Sequence, residues 1–251
     1  MAWSLTPYAV PPLAAAVIST AALVEALRHR ERPLTRTFAA LMTAVVAWSL
    51  AYAVQLGQPT LAGQLFWQRV GLSVAAIIPT VWLVLALQYT DRTGWLTRRT
   101  VPALVLDPAL FTALVWTNPA HELAWSVAGF DPGSVPMVVD LAFGVGYYAH
   151  IVYGYVLVVA GIALVVEVSL RRAAVYRRQA ALLAVGTVVP LGANVAFTLG
   201  LGPVPAVDLT TFAFTVTGVV FALALFRFDL LDLTPAARRN VIEELGDGLI
   251  V

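Results

Sequence analysis

The chain contains no cysteine, which excludes disulfides, thiolate catalysis and Cys-ligated metals. It contains no lysine either: all of its basic side chains are arginines. A retinal Schiff base needs a lysine amine, and the permanently protonated guanidinium cannot replace it. A seven-helix rhodopsin is thereby excluded. Charge of any sign is scarce, at 12% of residues against 60% hydrophobic ones, with a mean hydropathy of +0.85. A water-soluble domain of 251 residues does not have that balance; a polytopic membrane protein does. His29, His121 and His150 are far apart in the chain, so neither a metal site nor any other cofactor is expected. The opening stretch Met1–Pro7 lacks the basic region of a cleavable signal peptide, so the first span is expected to be retained.

What the chain does have is a succession of long apolar runs. One crossing takes about 20 apolar residues to span roughly 30 Å of hydrocarbon. The runs predict spans at Tyr8–Leu27, Thr37–Leu56, Leu65–Leu87, Val101–Trp116, Gly144–Val168, Ala180–Leu199 and Leu209–Phe226. The expected fold class is therefore an all-α membrane protein, a seven-transmembrane helix bundle over residues 1–226, with a cytoplasmic connector at 227–251. Arg28, Arg30, Arg32, Arg36, Arg92, Arg98, Arg99, Arg171, Arg172, Arg177, Arg178, Arg227, Arg238 and Arg239 all fall on one side of this arrangement. The positive-inside rule then puts the N-terminus outside and the C-terminus in the cytoplasm. The long loop Asn118–Phe143 falls outside. Its turn signal Phe130–Ser134 separates two extendable stretches, Leu123–Gly129 and Val135–Leu141. These predict a small outer cap between helices four and five, with an irregular connector as the alternative.

Polar residues within apolar runs carry the functional expectation, because ionisable groups at membrane depth are costly and face the bundle interior. Arg69 and Ser73 share a helical face in the third span. Tyr52 and Gln55 lie on the second, Tyr147 and His150 on the fifth, Asn194 on the sixth, and Asp208 and Thr211 at the start of the seventh. Their placement predicts a cavity open to the outside, with these residues as ligand-binding candidates and Arg69 as a clamp for an anionic ligand. The same residues also suit helix packing, with Arg69 snorkelling to the interface or pairing with Asp208 or Asp140. Asp107 immediately precedes Pro108. A proline frees a backbone carbonyl, so a neighbouring carboxylate can be protonated and bonded there, as a kink device or as a proton sensor.

The tail predicts one more helix, with Thr234 and Pro235 as its cap and first residue and Ala236–Leu245 as its body. Ala237, Val241, Ile242 and Leu245 form its apolar face. Gly246–Gly248 ends it, and Leu249–Val251 begins a strand that cannot stand alone.

Several motifs resemble one known family. They are Phe66-Trp67, Pro79-Thr-Val-Trp82, Leu87-Gln-Tyr89, Thr117-Asn-Pro-Ala-His121, His150–Tyr155, Pro190-Leu-Gly-Ala-Asn194, Asp208-Leu-Thr210 and the tail stretches Phe226–Arg238 and Val241–Val251. Together they resemble the N-terminal seven-transmembrane sensor region of membrane histidine kinases, over nearly the whole chain. Asp107 departs from the family pattern, in which that position is usually apolar. The resemblance implies that 227–251 leads into a truncated PAS-like domain, followed in the full-length protein by a dimerising phosphoacceptor helix pair and a kinase domain. It implies a two-component receptor in a prokaryotic cell (plasma) membrane, acting as a homodimer and addressing a response regulator. Its stimulus would be a small-molecule or lipid ligand, in contact with membrane lipid. The chain itself is expected to have no catalytic residues, since it has neither a nucleotide-binding glycine box nor a phosphoacceptor histidine in a soluble helix pair. Nucleic acid is not an expected partner. The alternative is a small-molecule transporter or permease, suggested by prolines near mid-membrane in spans four and six. A membrane enzyme ranks last, for want of clustered His, Asp and Glu.

Overall fold

The computed structural model describes residues 5–28, 31, 33–131, 133, 138–171, 174–201 and 207–228. The predicted tail helix at 236–245, the strand at 249–251 and the centre of the predicted 130–134 turn lie outside the described residues. Eight α-helices and one hairpin are present among the described residues: α1 (Val10–Arg28), α2 (Pro33–Leu56), α3 (Leu61–Ala75), α4 (Ile78–Tyr89), α5 (Thr100–Thr117), β1 (Trp125–Gly129), β2 (Asp140–Phe143), α6 (Val145–Arg171), α7 (Ala174–Thr198) and α8 (Thr210–Phe228). Among the described residues, six helical stretches are long and apolar enough to cross a membrane, α3 and α4 counting together as Leu61–Tyr89. The apolar helix Thr210–Ala224 is shorter. The protein is an all-α membrane protein.

The predicted third span is one helix in the sequence reading but two in the structure. Pro79 has no N–H to offer the carbonyl of Ala75, and its ring crowds that carbonyl. The helix breaks at Ala76–Ile77, and Pro79 becomes an early residue of α4. The other boundaries follow local chemistry. Thr60 caps α3 by accepting a hydrogen bond from the Gly63 N–H at 3.2 Å. Asp91, in the left-handed region at φ 60°, lets the Arg92 N–H reach back to the Leu87 carbonyl at 2.7 Å and close α4. Arg92 then bridges to Glu167 of α6 at 2.8 Å.

α2, α3 with α4, α6, α7 and α8 surround a central space. α1 packs along α2 and α8, and α5 along α3 and α6. Between membrane helices, packing rather than water exclusion supplies the contact energy, and small residues let backbones approach. α1 accordingly buries Ala15, Ser19, Ala22 and Ala26 at helical spacing. α4 meets α6 where Gly161 makes room for the Trp82 indole, whose Nε1–H donates to the Val158 carbonyl at 3.2 Å. Any side chain at 161 would occupy that ring's place.

The hairpin closes the end at which α1 begins. Strand β1 falls within the expected stretch and β2 covers Asp140–Phe143, with a bulge between Val127 and Gly129; residues 135–137 of the second expected stretch lie outside the described residues. Two anchors tie the hairpin to the helices. Asn118 satisfies the base of β1: its Oδ1 accepts from the N–H groups of Ala124 (2.9 Å) and Trp125 (3.3 Å), and its Nδ2 donates to the Trp125 carbonyl (2.8 Å). On the other side the Val139 N–H donates to Gln64 of α3 at 2.9 Å. Val138 is buried with Ala9, Tyr52, Leu56 and Val207. Val138 and Val139 are therefore tied to the helix ends. The opposite end carries the described arginines outside α3, at 28, 36, 92, 98, 99, 171, 177, 178 and 227.

Candidate functional site

Two of the prolines inside helices decide how the interior is wired. Pro108 leaves the Leu104 carbonyl of α5 without its helical donor. Two hydroxyls from neighbouring helices take that place: Thr80 of α4 at 3.0 Å and Tyr153 of α6 at 2.8 Å. Pro190 likewise frees the Gly186 carbonyl of α7, and Thr217 of α8 donates to it at 2.6 Å. In a membrane, neighbouring helices characteristically restore such lost bonds. The expectation that Asp107 serves the carbonyl freed by Pro108 is thus corrected. Asp107 instead contacts His150 of α6, Oδ2 to Nδ1, at 2.6 Å. The His150 ring is stacked on Phe111 with centroids 4.0 Å apart.

The space enclosed by the helices has two connected chambers. The inner one, about 150 Å3, is walled by apolar and aromatic side chains, including Met42, Trp48, Leu72, Trp82, Phe214 and Phe221. Gly186, Thr187, Pro190, Leu191 and Asn194 of α7 and Thr217 of α8 line it as well. The second, about 250 Å3, lies under the hairpin and is more polar, bounded by Tyr52, Gln55, Gln68, Asp140, Thr198 and Asp208. Trp48, Gln68, Leu72, Phe143, Phe197 and Asp208 line both.

A hydrogen-bonded chain crosses their junction. The Tyr155 hydroxyl donates to Asn194 Oδ1 at 2.9 Å, and Asn194 Nδ2 donates to Thr210 Oγ1 at 3.1 Å. The Thr210 N–H donates to the Asp208 carboxylate at 2.8 Å, which caps the start of α8. The Asp208 N–H donates to the Tyr52 hydroxyl at 2.7 Å. Beside the chain, Gln55 donates to Gln68 at 2.8 Å. Partial burial holds the Asp208 carboxyl above the ordinary carboxylate range, offset in part by the bonds from Thr210.

Of the nine candidates, the structure gathers six around the chambers. Tyr147, His150, Asn194 and Asp208 line the inner chamber, and Tyr52, Gln55 and again Asp208 the outer one. Arg69, Ser73 and Thr211 line neither. The Ser73 hydroxyl donates to the Arg69 carbonyl at 2.7 Å and accepts from Trp116 of α5 at 3.0 Å, so this stripe faces α5. Arg69 forms no ion pair with Asp208 or Asp140, and its Nε is buried without a partner among the described residues. Thr211 is fully buried and donates to the Asp208 carbonyl at 3.3 Å. The sequence reading missed Tyr155, Thr210 and Gln68. The first two stand inside the motifs His150–Tyr155 and Asp208–Thr210, which was the available signal. Among the described residues no three His, Asp or Glu side chains gather closely enough to hold a metal.

The described helices form an apolar bundle around a lined internal cavity. The family described as the N-terminal 7TM region of histidine kinase matches residues 11–235. The chain belongs to that family. Membership indicates a sensor module, distinct from the kinase domain itself. No curated protein matches the chain.

Proposed function

We propose that this chain is the stimulus-receiving module of a two-component histidine kinase, with the two-chambered cavity as its receiving site and α8 as its output. The observation that carries this reading is the Thr217–Gly186 hydrogen bond. It joins the proline-weakened point of α7 to α8 in the wall of the inner chamber. Phe221 of α8 also rests against Gly186. A ligand in the chamber would touch the α7 hinge and α8 together. It shifts their equilibrium if it binds one arrangement better than the other.

In this reading α8 is the seventh crossing and the hairpin is an outer cap. The arginine-bearing end faces the cytoplasm, as the positive-inside rule requires. The chain is bounded as a sensor domain at 1–226 and a connector into a PAS-like domain at 227–251. The full-length protein would act as a homodimer in a prokaryotic cell membrane and signal through its kinase portion to a response regulator. A permease reading gains nothing from the prolines: the carbonyl freed in α5 takes two hydroxyls and that in α7 one, rather than turning to a transported ion.

The absence of native cysteine makes the topology directly testable. Val127 of the hairpin and Trp95 of the α4–α5 connection are both exposed. In intact cells, a membrane-impermeant maleimide is expected to label Val127→Cys, and to label Trp95→Cys after permeabilisation alone. The reverse pattern contradicts the orientation, and labelling of both in intact cells contradicts the crossing between them.

A further inference from the structure

We infer that the two chambers take a compact lipophilic cation, its apolar body in the inner chamber and its amine or quaternary ammonium head beside Asp208. The inference rests on the reading of the cavity as the receiving site. Its basis is the sign of the walls. Among the described residues, the formally charged side chains lining the chambers are Asp208, common to both, and Asp140 at the exposed rim, and no arginine lines either. The Asp208 carboxylate is engaged at the start of α8 by Thr210 alone, a neutral donor that leaves its charge unpaired by any cation among the described residues. Arg69, the basic residue that sequence alone offered to an anion, lines neither chamber.

An anionic head placed here would lose its hydration and meet a carboxylate with no counter-charge. A cationic head meets that carboxylate and aromatic faces as well. Trp48, Phe143 and Phe197 line both chambers, and ammonium groups are attracted to such rings. His150 also lines the inner chamber, but its Nδ1 is held by Asp107, which lies outside that lining. It therefore adds no unopposed positive charge. Size restricts the body: an apolar cavity of about 150 Å3 is of the kind that accepts benzene.

The test uses the purified chain in lipid nanodiscs and three probes with the same ring: phenethylammonium, phenethyl alcohol and phenylacetate. Thermal unfolding is followed by tryptophan fluorescence at equal probe concentrations. Phenethylammonium is expected to raise the midpoint most and phenylacetate least. Asp208→Asn keeps a side-chain oxygen for the α8 cap. It is expected to weaken the cation's apparent affinity about tenfold, as loss of a charge-assisted bond implies, while leaving the alcohol unchanged. Leu72→Phe, which narrows both chambers, is expected to abolish protection by both. Protection by phenylacetate equal to or greater than that by the cation overturns the inference. Equal protection by cation and alcohol that Leu72→Phe still abolishes overturns the cation while sparing the cavity. No protection by any probe overturns the cation and the cavity reading together.

Discussion

Gly186→Leu is expected to destabilise the bundle by about 1–3 kcal/mol, the usual cost of forcing extra atoms into a packed interior. A Cβ at 186 would lie 2.5 Å from the Phe221 ring. Phe221 is itself fully buried and contacts Phe38 of α2 with ring centroids 5.7 Å apart, so it has little room to retreat. The added side chain must either push α8 off α7 or enter the inner chamber. Both outcomes would also reshape the proposed receiving site. Denaturation in mixed micelles measures the stability loss. Combining Gly186→Ala with Phe221→Leu, which shortens the opposing side chain, is expected to recover more stability than Gly186→Ala alone shows. A Gly186→Leu variant as stable as the wild type would mean that α7 and α8 are not packed this closely.

Asn118→Ala is expected to cost about 2–4 kcal/mol, because one buried amide satisfies three backbone groups and each orphaned group carries a desolvation penalty. Those groups are the N–H of Ala124 and both the N–H and the carbonyl of Trp125. The loss should be local at first. Amide exchange is expected to accelerate across 124–129 and 140–143 before it does so in α2 or α6. Asn118→Asp is expected to recover only part of the stability: it restores the acceptor for the two N–H groups but not the donor for the Trp125 carbonyl. Unchanged exchange in the hairpin would show that the strands, rather than Asn118, hold that end together.

Much of the fold was legible because the membrane imposes a long period and a charge rule. Apolar runs located the helices, and arginines marked the ends opposite the hairpin. The break at Ala76–Ile77 was equally present in the sequence, as Pro79, but hydropathy averages over such a residue and so reads one span. The cavity was legible only by halves. Helical spacing puts Arg69, Ser73 and Thr80 on one stripe, but it does not say which neighbour that stripe meets. Charge drew attention to Arg69, whose stripe in fact faces α5. At the start of α8 the reading chose Thr211, which is buried against its own backbone. The interhelical contact belongs to Thr210, one position earlier. The Asp107–His150 contact and the hydroxyls that serve the Leu104 and Gly186 carbonyls join residues far apart in sequence. A proline announces which carbonyl it frees, never which side chain will come to it.

The proposed link between cavity and output rests on α7 and α8 being held together through Thr217. Spin labels at Arg178→Cys in α7 and Leu223→Cys in α8, in a chain with no other cysteine, give the distance between the two helices toward the arginine-bearing end. Thr217→Val is nearly isosteric and leaves the Gly186 carbonyl without its donor. In nanodiscs this variant is expected to show a second, displaced distance population or a clearly broader one than the Thr217 chain. Superimposable distributions would show that α7 and α8 form one rigid unit whatever happens at the hinge, and would contradict transmission through α8.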